Sequence, residues 1–256
     1  MAEALLPEQL TEDKFLNGLV SLHQPQSGFR AGLESVFLAA AVPAKPGDHV
    51  LEPGMGAGAA ALCLAARVTD AHVTGLELSS NMVLLADHNV QQNGLGGRVS
   101  TYCGDVATPP DAIKIQQFDH VMMNPPFDRA GSGRVSPDKD KARANQEGTG
   151  SLSAFLNFGI KRLKSDGSLT IIHRAERLDE IMAGLAKAGI GGLLVCPLWP
   201  RAGVEARRVI VQGRKGSRAG ARVLPGLVLH QGTESHAFTA AAEGILRHGA
   251  ALTLGH

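Results

Sequence analysis

Residues 51–61, LEPGMGAGAAA, join an apolar stretch to a helical stretch through closely spaced glycines. Gly54, Gly56 and Gly58 occupy this turn. Glycine allows positive φ and lets a ligand lie against bare backbone near the N-terminus of a helix, so the turn predicts a binding loop. Because the turn and Ala59 also satisfy the fingerprint G-x-G-x-x-G/A, a dinucleotide and other adenosine cofactors both stay open at this point.

Apolar stretches that end in polar residues recur along the chain, and helical patterns separate the first of them. The stretches are HVLEPG (49–54), HVTGLEL (72–78), RVSTYCGD (98–105), FDHVMMNPP (118–126) and SLTIIHR (168–174). With two further strands near residues 192–199 and 206–214, they predict a doubly wound α/β fold, with a mostly parallel seven-stranded sheet and helices on both faces. Right-handed crossovers bring the carboxyl ends of parallel strands to one edge, where such folds bind ligands.

Polar residues at these strand ends should therefore converge on one crevice. They are Glu52, Glu77, Asp105 and Asn124. Glu77 could hold a ribose hydroxyl, and Asp105 could accept a hydrogen bond from an adenine amino group. Together with the glycine turn, these strand ends describe a site for an adenosine with a cationic, phosphate-free tail better than a site for a pyrophosphate.

The global properties of the chain suit an enzyme with one large α/β domain. The 256 residues can bury a sizeable core, and the formal net charge of +1 argues neither for nor against nucleic acid. The sequence has no stretch of about 18 apolar residues that could span a membrane. Its N-terminus lacks the order of basic, apolar and small residues found in a secretory signal. Three distant cysteines suggest neither a disulfide framework nor a zinc site. We expect a cytoplasmic protein without a metal, and a homodimer stays open.

The predicted organisation has one catalytic domain with an addition at each end. Residues 1–45 are predicted to form an N-terminal segment over the cofactor site, and residues 46–215 the α/β domain. Residues 216–256 are predicted to form an extension packed on the same domain. Residues 128–150 are polar, glycine-rich and aperiodic, and they are longer than most loops of compact folds. A mobile lid or substrate-binding loop and plain disorder are both open for them.

Several of these motifs resemble one enzyme family. Four motifs resemble, in order and spacing, those of the class I S-adenosylmethionine-dependent methyltransferases. They are LEPGMGAG, the acidic residue of GLEL, then CGD, and finally NPPF. NPPF resembles the [D/N/S]-P-P-[Y/F/W] motif of members that methylate an exocyclic or amide nitrogen. Residues 24–40, QPQSGFRAGLESVFLAA, are similar to a segment that precedes the cofactor motif in the bacterial tRNA adenine-N6 methyltransferase group. The chain departs from the pattern of that group at Glu34, where the group often has Asp, and in the long loop after NPPF.

The resemblance implies S-adenosylmethionine as the cofactor. Glu77 would bind its ribose hydroxyls, Asp105 its adenine amino group and the glycine turn its methionine portion. Glu52 would orient the methionine amino group directly or through water, and Arg30 would lie over the cofactor. The implied cofactor-binding residues are Glu52, Gly54, Gly56, Gly58, Glu77, Asp105, Arg30 and Asn124.

The resemblance also implies that Asn124, Pro125 and Phe127 carry the catalysis. An exocyclic amine is a poor nucleophile because its lone pair is delocalised into the ring. The Asn124 side-chain oxygen and the Pro125 carbonyl would accept hydrogen bonds from the two N–H groups of the amine. These hydrogen bonds favour the pyramidal nitrogen that attacks a methyl group. The prolines fix φ and remove donors, and Phe127 offers a face for stacking a splayed-out base.

A basic cluster lies between residues 201 and 222, where seven Lys and Arg residues accompany one acid. It predicts either a solvated surface hairpin or a contact with RNA phosphates. For the RNA contact, the expected residues are Arg207, Arg208, Arg214 and Lys215. Methylation of an adenine N6 in tRNA is the leading functional hypothesis. The alternatives are methylation of a ribosomal RNA guanine N2 or a protein glutamine, and an NAD-binding reductase domain.

Overall fold

A computed structural model describes residues 9–28, 30–126, 151–232 and 235–255. Within these ranges the chain forms the strands β1 (Leu10–Phe15), β2 (Val20–Pro25), β3 (His49–Pro53), β4 (His72–Glu77), β5 (Val99–Cys103), β6 (Phe118–Met123), β7 (Leu163–Arg174), β8 (Ile190–Trp199), β9 (Arg208–Lys215), β10 (Arg222–Val223) and β11 (Leu227–Val228). The α-helices of the same ranges are α1 (Leu33–Ala41), α2 (Ala59–Arg67), α3 (Ser80–Gln92), α4 (Asp111–Lys114), α5 (Leu152–Arg162), α6 (Leu178–Lys187) and α7 (Ala240–His248). Phe29, Phe127 and the predicted loop 128–150 lie outside the described residues.

The central sheet has the strand order β10-β8-β9-β7-β6-β3-β4-β5, and β11 also pairs with β8. Its pairs are parallel except those that β9 makes with β7 and β8. The long strands β3 to β9 are the seven that the sequence predicts, and two strands of two residues each are added at the edge. This arrangement confirms the predicted Rossmann-like α/β fold.

Two hydrophobic cores form, one on each face of the sheet. Alternation along β6 divides its side chains between them: Met122 packs in the core beneath α1, α2 and α3, whereas Val121 and Met123 pack in the core beneath α5 and α6. This period of two places successive side chains on opposite faces. A sheet buried on both faces holds its strand ends rigidly, and those ends carry the polar residues.

The N-terminal residues form a hairpin, β1–β2, that lies on α3 and is not among the predicted strands. The side-chain amide of Asn89 donates to the carbonyls of His23 and Ala57, both at 3.0 Å, and so connects the hairpin to the glycine turn. At the other end of the chain, α7 contacts α1, and the N–H of Leu252 donates to the carbonyl of Ala40 at 2.9 Å. The boundaries at residues 45 and 215 stay a prediction.

Among the described residues, no helix has the length and apolar character needed to cross a membrane.

Candidate active site

The glycine turn between β3 and α2 has a backbone that side chains would not tolerate. Gly54, Gly56 and Gly58 have φ values of 72°, 56° and 92°, in the left-handed region that favours glycine. A Cβ on Gly54 would lie 2.9 Å from Cε1 of Phe155, whereas a Cβ on Gly56 would meet nothing within 4 Å. The backbone at Gly56 therefore faces open space, as a backbone that cradles a ligand must.

Glu77, at the end of β4, holds this turn in place. Its carboxylate accepts hydrogen bonds from the backbone N–H groups of Gly56 and Ser79, both at 2.9 Å. Each carboxylate oxygen has two acceptor sites, so each keeps one for a further donor. Two hydroxyls of a ribose present the donors that this carboxylate can accept.

Asp105 follows β5 on the next strand of the sheet. Its side chain is half-buried, and Oδ1 accepts a hydrogen bond from the N–H of Ala107 at 2.8 Å. The N–H of Gly104 donates to the carbonyl of Glu77 at 2.9 Å, which fixes the end of β5 beside the end of β4. Glu77 and Asp105 therefore stand side by side at one edge, as predicted from the strand ends.

Glu52 is buried beneath the glycine turn, with 5% of its surface exposed. The pKa of its carboxyl is raised to about 8, mainly by burial and also by the nearby Glu77 carboxylate, whereas a backbone hydrogen bond from Ala61 lowers it. Within the described part of the chain, its Oε2 has no hydrogen-bond partner. The neighbouring Cys63 thiol has its pKa raised to about 12 by its own burial and by Glu52. A ligand ammonium group would supply the charge and the donor that Glu52 lacks.

Asn124 and Pro125 continue the chain beyond β6. Leu51 of β3 pairs with Val121 of β6, so Asn124 emerges beside the glycine turn on the adjacent strand. Its Oδ1 atom is buried and accepts no hydrogen bond from any residue that the structure describes. Because a buried acceptor without a donor is costly, this oxygen is a candidate contact for a ligand N–H. Pro125 is buried next to it.

The predicted catalytic residue Phe127 lies outside the described residues, so its stacking role stays a prediction. Arg30, predicted over the cofactor, is bound within the N-terminal hairpin. Its guanidinium donates to the Thr11 hydroxyl and the Pro25 carbonyl at 2.6 and 2.8 Å and pairs with Asp13 at 2.5 Å. These contacts place Arg30 in a structural role, and cofactor contact by Arg30 also stays a prediction.

The structure adds His173, a residue outside the site predicted from the sequence. Because Met123 of β6 pairs with Ile171 of β7, His173 reaches the sheet edge level with Pro125. The ring is fully buried, and Nδ1 accepts the N–H of Arg174 at 2.9 Å. The sequence signal was available, since His173 is a polar residue at a strand end like Asn124.

The basic cluster is divided between the two edges of the sheet. Arg208 lies opposite Arg174 at the candidate site's edge, whereas Arg214 lies opposite Ser168 at the other end of β9, roughly 20 Å away along the strand. Arg207 and Arg214 are exposed. The four cations thus do not form one patch.

Two of the four cations are also engaged in contacts within the fold. Arg208 pairs with Glu34 at 3.0 Å. The ammonium of Lys215 donates to the carbonyls of Ile160 and Leu163 at 2.9 and 2.6 Å. Contacts of any of the four with RNA stay predictions, and Arg207 is the exposed one at the site's edge.

The described residues include no group of three or more His, Cys, Asp and Glu side chains that could hold a metal ion. The groups at the edge instead fit an organic ligand. Glu52 can receive an ammonium, Glu77 a ribose and Asp105 an adenine amino group, and the space over Gly56 admits the chain that connects them.

Comparisons with known proteins agree with this geometry. The family model described as "Methyltransferase small domain" matches residues 30–185. The chain is 29% identical over 153 residues to a protein of Vibrio campbellii and 28% identical over 166 residues to one of Porphyromonas gingivalis, both named tRNA1(Val) (adenine(37)-N6)-methyltransferase. These matches cover 59% and 62% of this chain, and 62% and 64% of the relatives, which is less than two thirds of their length.

Solved structures show the same fold. A predicted O-methyltransferase from Agrobacterium tumefaciens is 27% identical with a TM-score of 0.71, and the match covers 86% of this chain and 98% of that one. An S-adenosylmethionine-dependent O-methyltransferase from Thermotoga maritima is 17% identical with a TM-score of 0.53, and the match covers 75% of this chain and 68% of that one. The second likeness supports the fold alone.

Proposed function

This chain belongs to the methyltransferase small domain family, and within it we propose that the protein transfers the methyl group of S-adenosylmethionine to the exocyclic N6 of an adenine in tRNA. Family membership confirms the predicted class of enzyme and its cofactor. It decides against the NAD-binding reductase domain that the glycine turn alone left open. The cofactor supplies an electrophilic methyl group on a positively charged sulfur.

One observation carries the proposal: the buried Oδ1 of Asn124, beside the glycine turn, has no hydrogen-bond donor among the residues that the structure describes. An amide oxygen accepts hydrogen bonds and carries no charge. It therefore suits a neutral N–H donor such as an exocyclic amine. The carbonyl of Pro125, which follows directly in the chain, would accept the second N–H of the same amine.

The chemistry of nitrogen methylation fits this neutral acceptor pair. The bound cofactor would supply its methyl group to the nitrogen lone pair and keep the electrons of the broken carbon–sulfur bond, while Asn124 and Pro125 would hold the amine. The nitrogen becomes cationic, loses its extra proton readily to water and needs no strong base. Glu52 is unsuited to serve as such a base, because its carboxyl is buried beneath the glycine turn and would be paired with the ammonium group of the cofactor.

An RNA substrate is supported by the surroundings of the site and by the relatives. Exposed Arg207 lies at the same sheet edge, where a cation can contact a phosphate. A groove of about 440 Å³, lined in part by Trp199, Val204 and Pro225, opens beyond the end of β8 at this edge. An aromatic wall of this kind can stack a base. The names of the two bacterial relatives point to adenine in tRNA as the substrate.

The reaction is tested by incubating the protein with tritiated S-adenosylmethionine and, in separate reactions, bulk tRNA, ribosomal RNA or cell protein. The products are digested, and the labelled residue is identified by chromatography and mass spectrometry. N6-methyladenosine from tRNA is the expected product. Label in guanine, in a protein glutamine or on an oxygen atom would overturn the proposed substrate.

A reaction with Asn124→Ala protein serves as the control, because any label it transfers comes from a contaminating enzyme or from chemistry that does not need this amide. Calorimetric titration with S-adenosylhomocysteine and with NAD provides a test that needs no methyl acceptor. We expect binding of S-adenosylhomocysteine and none of NAD.

A further inference from the structure

We propose that Asn89 of α3 is a positioning residue through which the N-terminal hairpin β1–β2 holds the glycine turn in the conformation that binds the cofactor. The Asn89 side chain is fully buried. It therefore acts through the backbone of the turn and not by contact with a ligand in the open space over Gly56. The inference concerns cofactor binding, so it goes beyond the proposed substrate and does not depend on which methyl acceptor the protein uses.

The hairpin joins α3 through two asparagines that lie about one helical turn apart. Asn89 pairs with both backbone groups of His23, since its Oδ1 accepts the N–H at 2.8 Å and its Nδ2 donates to the carbonyl at 3.0 Å. Asn93 pairs with Ser21 in the same way, at 2.9 and 2.7 Å. Residues four apart on a helix and residues two apart on a strand are both separated by roughly 6–7 Å, so the two side chains match the backbone of β2.

One contact distinguishes Asn89 from Asn93. The second N–H of the Asn89 amide donates to the carbonyl of Ala57 at 3.0 Å, inside the glycine turn. The amide of Asn93 instead donates to the carbonyl of Asn89 at 2.7 Å, within α3. An asparagine amide has two N–H donors, and Asn89 divides them between the hairpin and the turn. Both asparagines thus dock the hairpin, whereas Asn89 also holds the turn.

The contact with Ala57 completes the hold on Gly56. The N–H of Gly56 donates to the carboxylate of Glu77 at 2.9 Å, and Asn89 fixes the carbonyl of the next residue, Ala57. Glycine has more backbone freedom to lose than any other residue, so a turn with three glycines is costly to order. A turn that is already ordered before the ligand arrives binds it more tightly, because less entropy is lost on binding.

The hairpin contributes to this hold because its backbone orients the Asn89 amide. The N–H of His23 faces Oδ1 and the carbonyl of His23 faces Nδ2, which directs the remaining N–H to Ala57. The hairpin forms a two-stranded sheet of its own, so it does not act on the turn through pairing with the central sheet. Coupling between two sites is reciprocal, so a bound cofactor should in turn stabilise the docking of the hairpin.

The test compares Asn89→Ala with Asn93→Ala, the matched control on the same helix and the same strand. Val20 and Leu22 of β2 are fully buried and keep the hairpin in place in both variants. Both substitutions should lower Tm, but only Asn89→Ala releases the Ala57 carbonyl. Calorimetric titration should show the Kd for S-adenosylhomocysteine raised roughly 10-fold in Asn89→Ala, the effect of one lost hydrogen bond, and unchanged in Asn93→Ala. Equal Kd values in the two variants would overturn the inference.

A second measurement uses the wild-type protein and needs no variant that folds. Saturating S-adenosylhomocysteine should slow the hydrogen exchange of the β2 amides, including the N–H of His23, and leave the amides of α6 on the other face of the sheet unchanged. Exchange in β2 that is indifferent to the ligand would also overturn the inference. Wild-type protein that binds S-adenosylhomocysteine but methylates no RNA would defeat the proposed function, and both measurements would still decide the role of Asn89.

Discussion

The backbone N–H of Gly56 donates a hydrogen bond of 2.9 Å to the carboxylate of Glu77. This bond joins the turn after β3 to the end of β4, so the two strands hold one site between them. It also sets the orientation of a carboxylate that a ribose would contact. The prediction for Glu77 follows from this double role.

Substitution of Glu77 by Gln should weaken S-adenosylhomocysteine binding roughly 10- to 100-fold, because it replaces one charged acceptor oxygen by a donor. Calorimetric titration measures the Kd. Glu176→Gln is the control, since Glu176 is an exposed carboxylate that pairs with Arg174 at 3.4 Å after β7, and β6 and β3 separate β7 from the strand that carries Glu77. Unchanged affinity in Glu77→Gln would rule out the ribose contact.

Removal of the Asn124 amide should lower kcat by about two to three orders of magnitude, the loss typical of one oriented hydrogen-bonding group in an active site. The Kd for S-adenosylhomocysteine of Asn124→Ala should change less than twofold, because the amide faces the acceptor amine. Single-turnover kinetics and calorimetry separate the two quantities. Asn124→Asp keeps an acceptor oxygen and should retain more activity than Asn124→Ala. Loss of both turnover and affinity would mean that Asn124 is structural.

Glu52 should make the stability of the unliganded protein fall as the pH rises. Its carboxyl has a pKa of about 8 in the folded protein against an ordinary value of 4.5, so between these values the folded state holds a proton that the unfolded state has released. The free energy of unfolding therefore decreases from about pH 4.5 to pH 8. Glu52→Gln cannot ionise and should lack this contribution.

Thermal unfolding from pH 5 to pH 8.5 measures this effect. Glu52→Gln should exceed the wild type in Tm by several °C at pH 8, where each kcal/mol moves the Tm of such a chain by roughly 2–4 °C, and the difference should shrink towards pH 5. A ligand ammonium group would restore the charge on Glu52. Wild-type protein should thus release a proton on binding S-adenosylhomocysteine at pH 7, and Glu52→Gln should not, as calorimetry in buffers of different ionisation enthalpy will show.

Arg207 and Arg214 offer a matched pair for testing the RNA surface, because both are exposed and they lie at opposite ends of β9. Arg207→Gln should reduce the salt dependence of tRNA binding, with the slope of log Kobs against log salt falling by about 1. Arg214→Gln should leave the slope unchanged if RNA occupies the site's edge alone. An equal effect of both substitutions would mean that RNA contacts both ends of β9. Binding is measured by fluorescence anisotropy between 50 and 200 mM salt.

Elements set by local pattern were predictable from the sequence. The strands β3 to β9 and the helices α2 and α3 between the first of them follow from hydrophobic periodicity, and the crossover rule then brings Glu77 and Asp105 to one edge. The hairpin β1–β2 was missed, although Asn17–Gly18 at its turn is a strong hairpin signal. The pairing of its strands is stabilised by contacts with α3 that no local pattern reveals.

The sequence by itself determined the strand-and-helix alternation, the glycine turn and the order of polar strand ends, because each depends on neighbouring residues. Only the tertiary structure decided which distant residues meet. The register between β6 and β7 places His173 level with Pro125, and the antiparallel course of β9 separates Arg207 from Arg214. Contacts within the N-terminal hairpin hold Arg30. Such contacts depend on how whole elements pack against each other, and packing energy is shared among residues that lie far apart in the chain.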